Sequence, residues 1–172
     1  VLAEGIIYPN FDKIKHCIKP VDIPKKFDFF YVSSDYGITN PQVFLLCGIK
    51  YIDGKPQVWI LDEYYNKGTK KNKKGQEEKI TKTDTMFLND YKKLIGDLEI
   101  RKVIIDPSAT SLINLFKQNK IAVKEADKAV IDGINLVLNW LDEERIHIVE
   151  EKCPNIIREF NKKFPKISLK KF

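Results

Sequence analysis

The chain has 172 residues, 43% hydrophobic and 31% charged, which suits one domain with a sizeable core and the composition of an ordinary soluble globular protein. No apolar run approaches the roughly 20 residues of a membrane span, no signal-peptide pattern opens the chain, and the formal net charge of +6 leans weakly towards a polyanionic partner. Cys17, Cys47 and Cys153 are far apart and His16 and His147 isolated, which excludes a Cys/His metal site and points to a reducing compartment with idle thiols.

In chain order, residues 1–26 read as an extended arm or linker: GIIYPNF, then Pro20 and Pro24, with no helical period. The chain starts at Val1 and is expected to be a piece of a longer one. From Phe27 the pattern is dense. Residues 29–34 form strand one, Asn40-Pro41 a turn, and residues 42–52 strand two. Asp53-Gly54 signals a hairpin, and residues 55–65 form strand three. Residues 66–82, NKGTKKNKKGQEEKITK, carry seven lysines and almost nothing apolar, as a mobile loop or ribbon tip would.

Thr81 or Thr83 caps a helix reaching to about residue 98, with Met86, Leu88, Tyr91, Leu94 and Ile95 expected on its buried face. Strand four is 102–105, and a helix follows over 108–119 with Leu112, Ile113, Leu115 and Phe116 apolar. Strand five is 121–124. A helix over 128–142 presents Val130, Ile131, Ile134, Val137, Leu138 and Leu141. A strand over 145–149, a helix over 154–163 and the basic end FPKISLKKF complete the chain.

This order predicts an α/β fold, with a mixed sheet half antiparallel and half parallel, flanked by helices. Strand four beside strand one gives the sheet order 3-2-1-4-5. Asp35 and Asp106, each ending a strand and followed by a chain breaker, then share one edge on neighbouring strands about 4.8 Å apart. Taken singly, an acid shortly before Gly37 or Pro107 is usually a turn former. As a pair, they suit phosphodiester hydrolysis, where a hard cation activates water and steadies the leaving oxygen. Carboxylates without His or Cys point to Mg²⁺ or Mn²⁺.

Several segments resemble a known family in their order: DYGITNP, the DEYY after Trp59, KTDTMFLNDYKKLIG, IDPSA and AVIDGINLVLNWL. The chain resembles the C-terminal nuclease domain of the bacteriophage terminase large subunit. The resemblance implies an RNase H-like fold over residues 27–172, with residues 1–26 joining it to an ATPase motor. It also implies Mg²⁺- or Mn²⁺-dependent endonuclease activity on concatemeric viral DNA during packaging, with Asp35 and Asp106 as the first two acidic metal ligands. Double-stranded DNA, the terminase small subunit and the portal protein are the implied partners, and the host cell cytoplasm the implied location. The family's third ligand is an Asp on a helix further downstream, and no residue here takes its place. Glu63 is read as a surface or supporting residue and Asp132 as structural. No G-x-x-x-x-G-K-[ST] loop occurs, so ATP hydrolysis is not expected.

Lys70, Lys71, Lys73 and Lys74 are the candidate DNA contacts, since clustered lysines suit phosphates. Lysines of the basic end could add to them, and a solvated loop tip is the plain alternative. Two other functions compete: a different RNase H-like nuclease of resolvase or integrase type, and a DNA-binding packaging module that does not cut.

Overall fold

The computed structural model describes residues 6–37, 41–127 and 129–162. Its elements are α1 (Lys13–His16), β1 (Cys17–Ile18), a 3-10 turn (Pro20–Asp22), β2 (Phe29–Asp35), β3 (Gln42–Ile52), β4 (Lys55–Asn66), β5 (Thr69–Lys71) and β6 (Glu77–Lys79). Then come α2 (Asp84–Ile95), β7 (Ile100–Ile105), α3 (Thr110–Gln118), β8 (Val123–Glu125), α4 (Val130–Asp142), β9 (Ile146–Val149) and α5 (Pro154–Phe160). No described helix is long and apolar enough to cross a membrane.

Seven strands form one sheet in the order β1-β9-β4-β3-β2-β7-β8. Its β4-β3-β2-β7-β8 portion is the 3-2-1-4-5 order expected from the sequence. β2, β3 and β4 are antiparallel neighbours, and β7, β8, β9 and β1 join in parallel. Asp53 and Gly54 at the β3–β4 turn both have positive φ, 52° and 76°. That is the backbone a two-residue hairpin needs to match strand twist.

The strands alternate their side chains between two cores. On one face Val32, Phe44, Leu46, Val103 and Ile105 meet Phe87, Leu88 and Tyr91 of α2 and Leu112, Ile113 and Phe116 of α3. On the other, Ile60, Ile146 and Ile148 meet Leu141 of α4 and Ile157 and Phe160 of α5. Helices therefore cover both faces, and the strand ends stay free to carry a site.

Three expectations change, and a fourth, the lysine segment as loop or ribbon tip, narrows to the ribbon. The first 26 residues, where described, are built into the fold: β1 extends the sheet edge beyond β9, and Phe11 stacks on Phe160 at 4.8 Å. His16 is buried; its Nδ1 accepts from the Asp12 amide and its Nε2 donates to the Leu141 carbonyl. The partners that bury this segment are more than a hundred residues away in sequence, so no local pattern announces them. The lysine segment is a two-stranded hairpin, β5–β6, separate from the main sheet. On α2, Thr83 is the cap, its side chain accepting from the Met86 amide. However, Met86 is 44% exposed and Phe87 is buried instead, because the inward stripe runs through residues 87, 88 and 91. On α4, Val130 and Ile131 are exposed at 69% and 73%, since the helix meets the core only towards its C-terminal end.

Two smaller shifts follow local chemistry. α3 begins at Thr110 because Pro107 and Ser108 turn the chain first, the Ser108 amide donating to Asp106 Oδ1 at 2.7 Å. α2 stops at Ile95, where Gly96 takes φ 54°. The expected turn at Asn40 and the basic end from residue 163 lie outside the described residues.

Candidate metal centre

β2 and β7 run parallel, with Ser34 opposite Ile105. The next residue of each chain is an aspartate, so Asp35 and Asp106 leave the sheet side by side at its C-terminal lip. Ligands of open α/β sheets bind outside this end of the strands. Val32, Val103 and Ile105 are fully buried just behind the lip, which makes its base rigid.

The electrostatics show that the two carboxylates feel each other. Asp35 reaches solvent at the lip, yet nearby protein strips part of its hydration, and the Asp106 charge adds repulsion. Both effects raise its pKa above the ordinary carboxylate value. Asp106 is oriented by its own turn: Ser108 donates to its side chain, and the Ala109 amide donates to its carbonyl at 3.0 Å. Tyr36, directly after Asp35, donates its hydroxyl to Asp84 Oδ1 at 3.3 Å, so the first turn of α2 braces the turn that follows the acid.

The donor set suits a hard divalent cation. It offers carboxylate oxygens, carries excess negative charge and contains no His or Cys. Among the described residues no group of three or more His, Cys, Asp or Glu side chains converges to hold an ion. Glu63 is engaged elsewhere: its carboxylate accepts from the Asn155 amide, the Asn155 side chain and the Ile156 amide at 2.6–2.9 Å, anchoring the start of α5. Asp132 lies exposed in the first turn of α4.

The lysine hairpin rises from the end of β4, next to the same lip. Its base is closed by the Ile80 amide donating to the Gly68 carbonyl at 2.7 Å. Lys82 is held by Asp90 of α2 at 2.6 Å, and Tyr64 of β4 donates to the same Asp90 oxygen at 2.7 Å. Between this base and the turn after Asp35 lies a cleft of about 210 Å³, lined by Tyr36, Gly37, Asn66, Gly68, Lys82 and Phe87.

The register separates the four candidate lysines. Lys70 faces Glu78 and Lys71 faces Glu77, while Lys73 and Lys74 stand at the tip without an acid opposite. Asn72 shapes that tip, its side-chain oxygen accepting from the amides of Lys74 and Gln76. Sequence reasoning missed Tyr36, Gln42 and the Lys82–Asp90–Tyr64 cluster. Gln42 alone had a signal, a polar residue in the inward parity of Phe44 and Leu46.

The large terminase of a thermophilic bacteriophage superposes with a TM-score of 0.78 and 36% identity, over 94% of this chain and 37% of that one. The likeness supports a nuclease domain of the large-terminase kind. The chain spans a little over a third of that terminase's length. The P22 large terminase nuclease domain matches at 13% identity and TM-score 0.67, over 94% of this chain and 80% of its own. The bacteriophage SPP1 large terminase nuclease domain, solved with bound Mn, matches at 21% and 0.53, over 92% and 80%. At those identities the likeness concerns the fold, which is the RNase H-like sheet of terminase nuclease domains. No protein-family model matches the sequence, and comparison with curated proteins finds no match.

Proposed function

We propose that this terminase nuclease domain hydrolyses phosphodiester bonds of double-stranded DNA, with a divalent cation held by Asp35 and Asp106. The register that brings both aspartates to one lip carries the proposal. When bound, Mg²⁺ or Mn²⁺ would supply a Lewis acid and a more acidic water. Asp35 and Asp106 would hold the ion, and the repulsion between them is what a cation relieves. The Ser108 amide keeps the Asp106 carboxylate aimed, and Tyr36 steadies the backbone beyond Asp35. The hairpin lysines would grip the phosphate backbone without reading sequence. Cutting concatemeric viral DNA during packaging, in the host cytoplasm and with small subunit and portal as partners, is the role we assign.

Plasmid nicking with Mn²⁺ or Mg²⁺ tests this. Asp35→Asn and Asp106→Asn should each lower cleavage by about a hundredfold or more while the fold persists. Cleavage that survives both substitutions would overturn the site. A second function keeps one observation in its favour: no third acid joins the pair among the described residues. If the parent binds DNA in a salt-sensitive way but never nicks it, the chain is a binding module. A preference for branched DNA would move it to the resolvases.

A further inference from the structure

Gln42 opens β3 and is only 1% exposed. It shares the inward parity of Phe44 and Leu46, so it points into the apolar core under α2 and α3. A buried amide there is expensive unless every polar atom is satisfied. Its Oε1 has no hydrogen-bond partner among the described residues. Leu or Met would fill the same space without that penalty, so packing alone does not explain the glutamine.

What Gln42 does make is informative. Its Nε2 donates to Ser34 Oγ at 3.0 Å and to the Val43 carbonyl at 3.2 Å. Ser34 precedes Asp35 in β2, and Val43 is the residue paired with Asp35 across the ladder. One buried side chain thus grips both flanks of Asp35. It does so where β2 and β3 part, in the last rungs of the ladder, where fraying would otherwise let the acid wander.

We infer that Gln42 is a positioning residue that fixes Asp35 at the lip, its amide retained for aim at the expense of stability. This rests on Asp35 being a metal ligand. A carboxylate displaced by about an ångström loses much of its effect on a reaction, and a ligand is only as well placed as the groups supporting it.

The test places Gln42→Met and Ser34→Ala, singly and together, in the full polypeptide that carries this domain, with Asp35→Asn as reference. Gln42→Met should lower kcat for plasmid nicking about tenfold with KM changed less than about twofold. It should also raise the Mn²⁺ concentration needed for half-maximal rate. Without metal, the amides at the ends of β2 and β3 should exchange hydrogen faster, while central β7 keeps its protection. Ser34→Ala should give a smaller loss, and the double variant no more than Gln42→Met alone, because both remove one contact.

If the Gln42→Met protein keeps full kcat and the same Mn²⁺ requirement while Asp35→Asn is dead, the positioning role is wrong and the metal site stands. If the whole sheet loses protection in step with kcat, Gln42 is merely structural. If Asp35→Asn still cuts, the site itself is wrong.

Discussion

Gly48 lies in the middle of β3, a place where glycine usually weakens a strand. Here a ring lies over it: a Cβ at this position would sit 2.6 Å from Phe27 Cδ1 and 2.9 Å from Cγ. Phe27 in turn packs edge-on to Trp59, which stacks on His147 at 4.4 Å. Gly48→Ala must push that stack aside, and we expect a loss of about 1–3 kcal/mol, read as a lower urea midpoint with unchanged slope. Residues of this kind were silent in the sequence, because nothing local says which ring will cover a glycine. The placement of Asp35 and Asp106 at strand ends was legible for the opposite reason. Asp106 closes an apolar run directly before Pro107, and Asp35 ends the strand that begins with Phe29–Val32, two residues before Gly37, and those are local signals. Gln42 falls between the two cases: its polarity at an inward position was visible, but its bonds to Ser34 and Val43 needed the ladder.

Among the elements, strands with long apolar alternation and a two-residue turn were read to within a residue or two, as β3 and β4 show. β1, held by a distant partner, was not, and the lysine ribbon was read without its two strands. β1 is two residues long and exists only because β9 lies beside it, and β5–β6 lacks any apolar residue to mark a strand. α5 depends on Glu63, whose carboxylate takes up amides at its start. Glu63→Ala should therefore cost about 1–3 kcal/mol and free α5 first, seen as faster hydrogen exchange in residues 154–160. The Lys82–Asp90–Tyr64 cluster joins β4, α2 and the hairpin base. Partial burial pushes the Asp90 pKa up, but hydrogen bonds from Lys82 and Tyr64 outweigh it, and the net value lies below the ordinary 3.8. The Lys82 pKa lies above 10.5, chiefly through its bond to Asp90. The Asp90 contribution is thus complete above 3.8 and is lost as pH falls through its lowered folded value. The Lys82 contribution is complete below 10.5 and is lost as pH rises through its raised one. Asp90→Asn should cost about 1–2 kcal/mol between those limits, with the gap to the parent closing at acid pH in urea titrations.

At the scale of the molecule, the order of the central five strands followed from connection rules, and the outer two did not, since β9 and β1 add beyond β4 through contacts across the whole chain. The same topology decides how DNA would meet the lip. The hairpin leaves β4 and returns to α2, both braced by Tyr64 and Asp90, so its lysines stand on a fixed base beside the aspartates. Composition treats Lys70, Lys71, Lys73 and Lys74 as equal, and the pairing does not. Glu78 and Glu77 stand opposite the first two in the ladder without closing an ion pair, so the local potential there is less positive than at the tip. Lys73 and Lys74 project from a tip ordered by Asn72. Each phosphate neutralised on duplex DNA contributes about 0.9 to the slope of log K against log salt. Changing Lys73 and Lys74 to Gln should therefore flatten that slope by about 1.8, and the Lys70/Lys71 pair by clearly less. Filter binding or anisotropy over a salt series measures both, in calcium so that no cutting intervenes. Equal losses for the two pairs would mean that the glutamates swing away on binding and that the whole ribbon, rather than its tip, lies on the duplex.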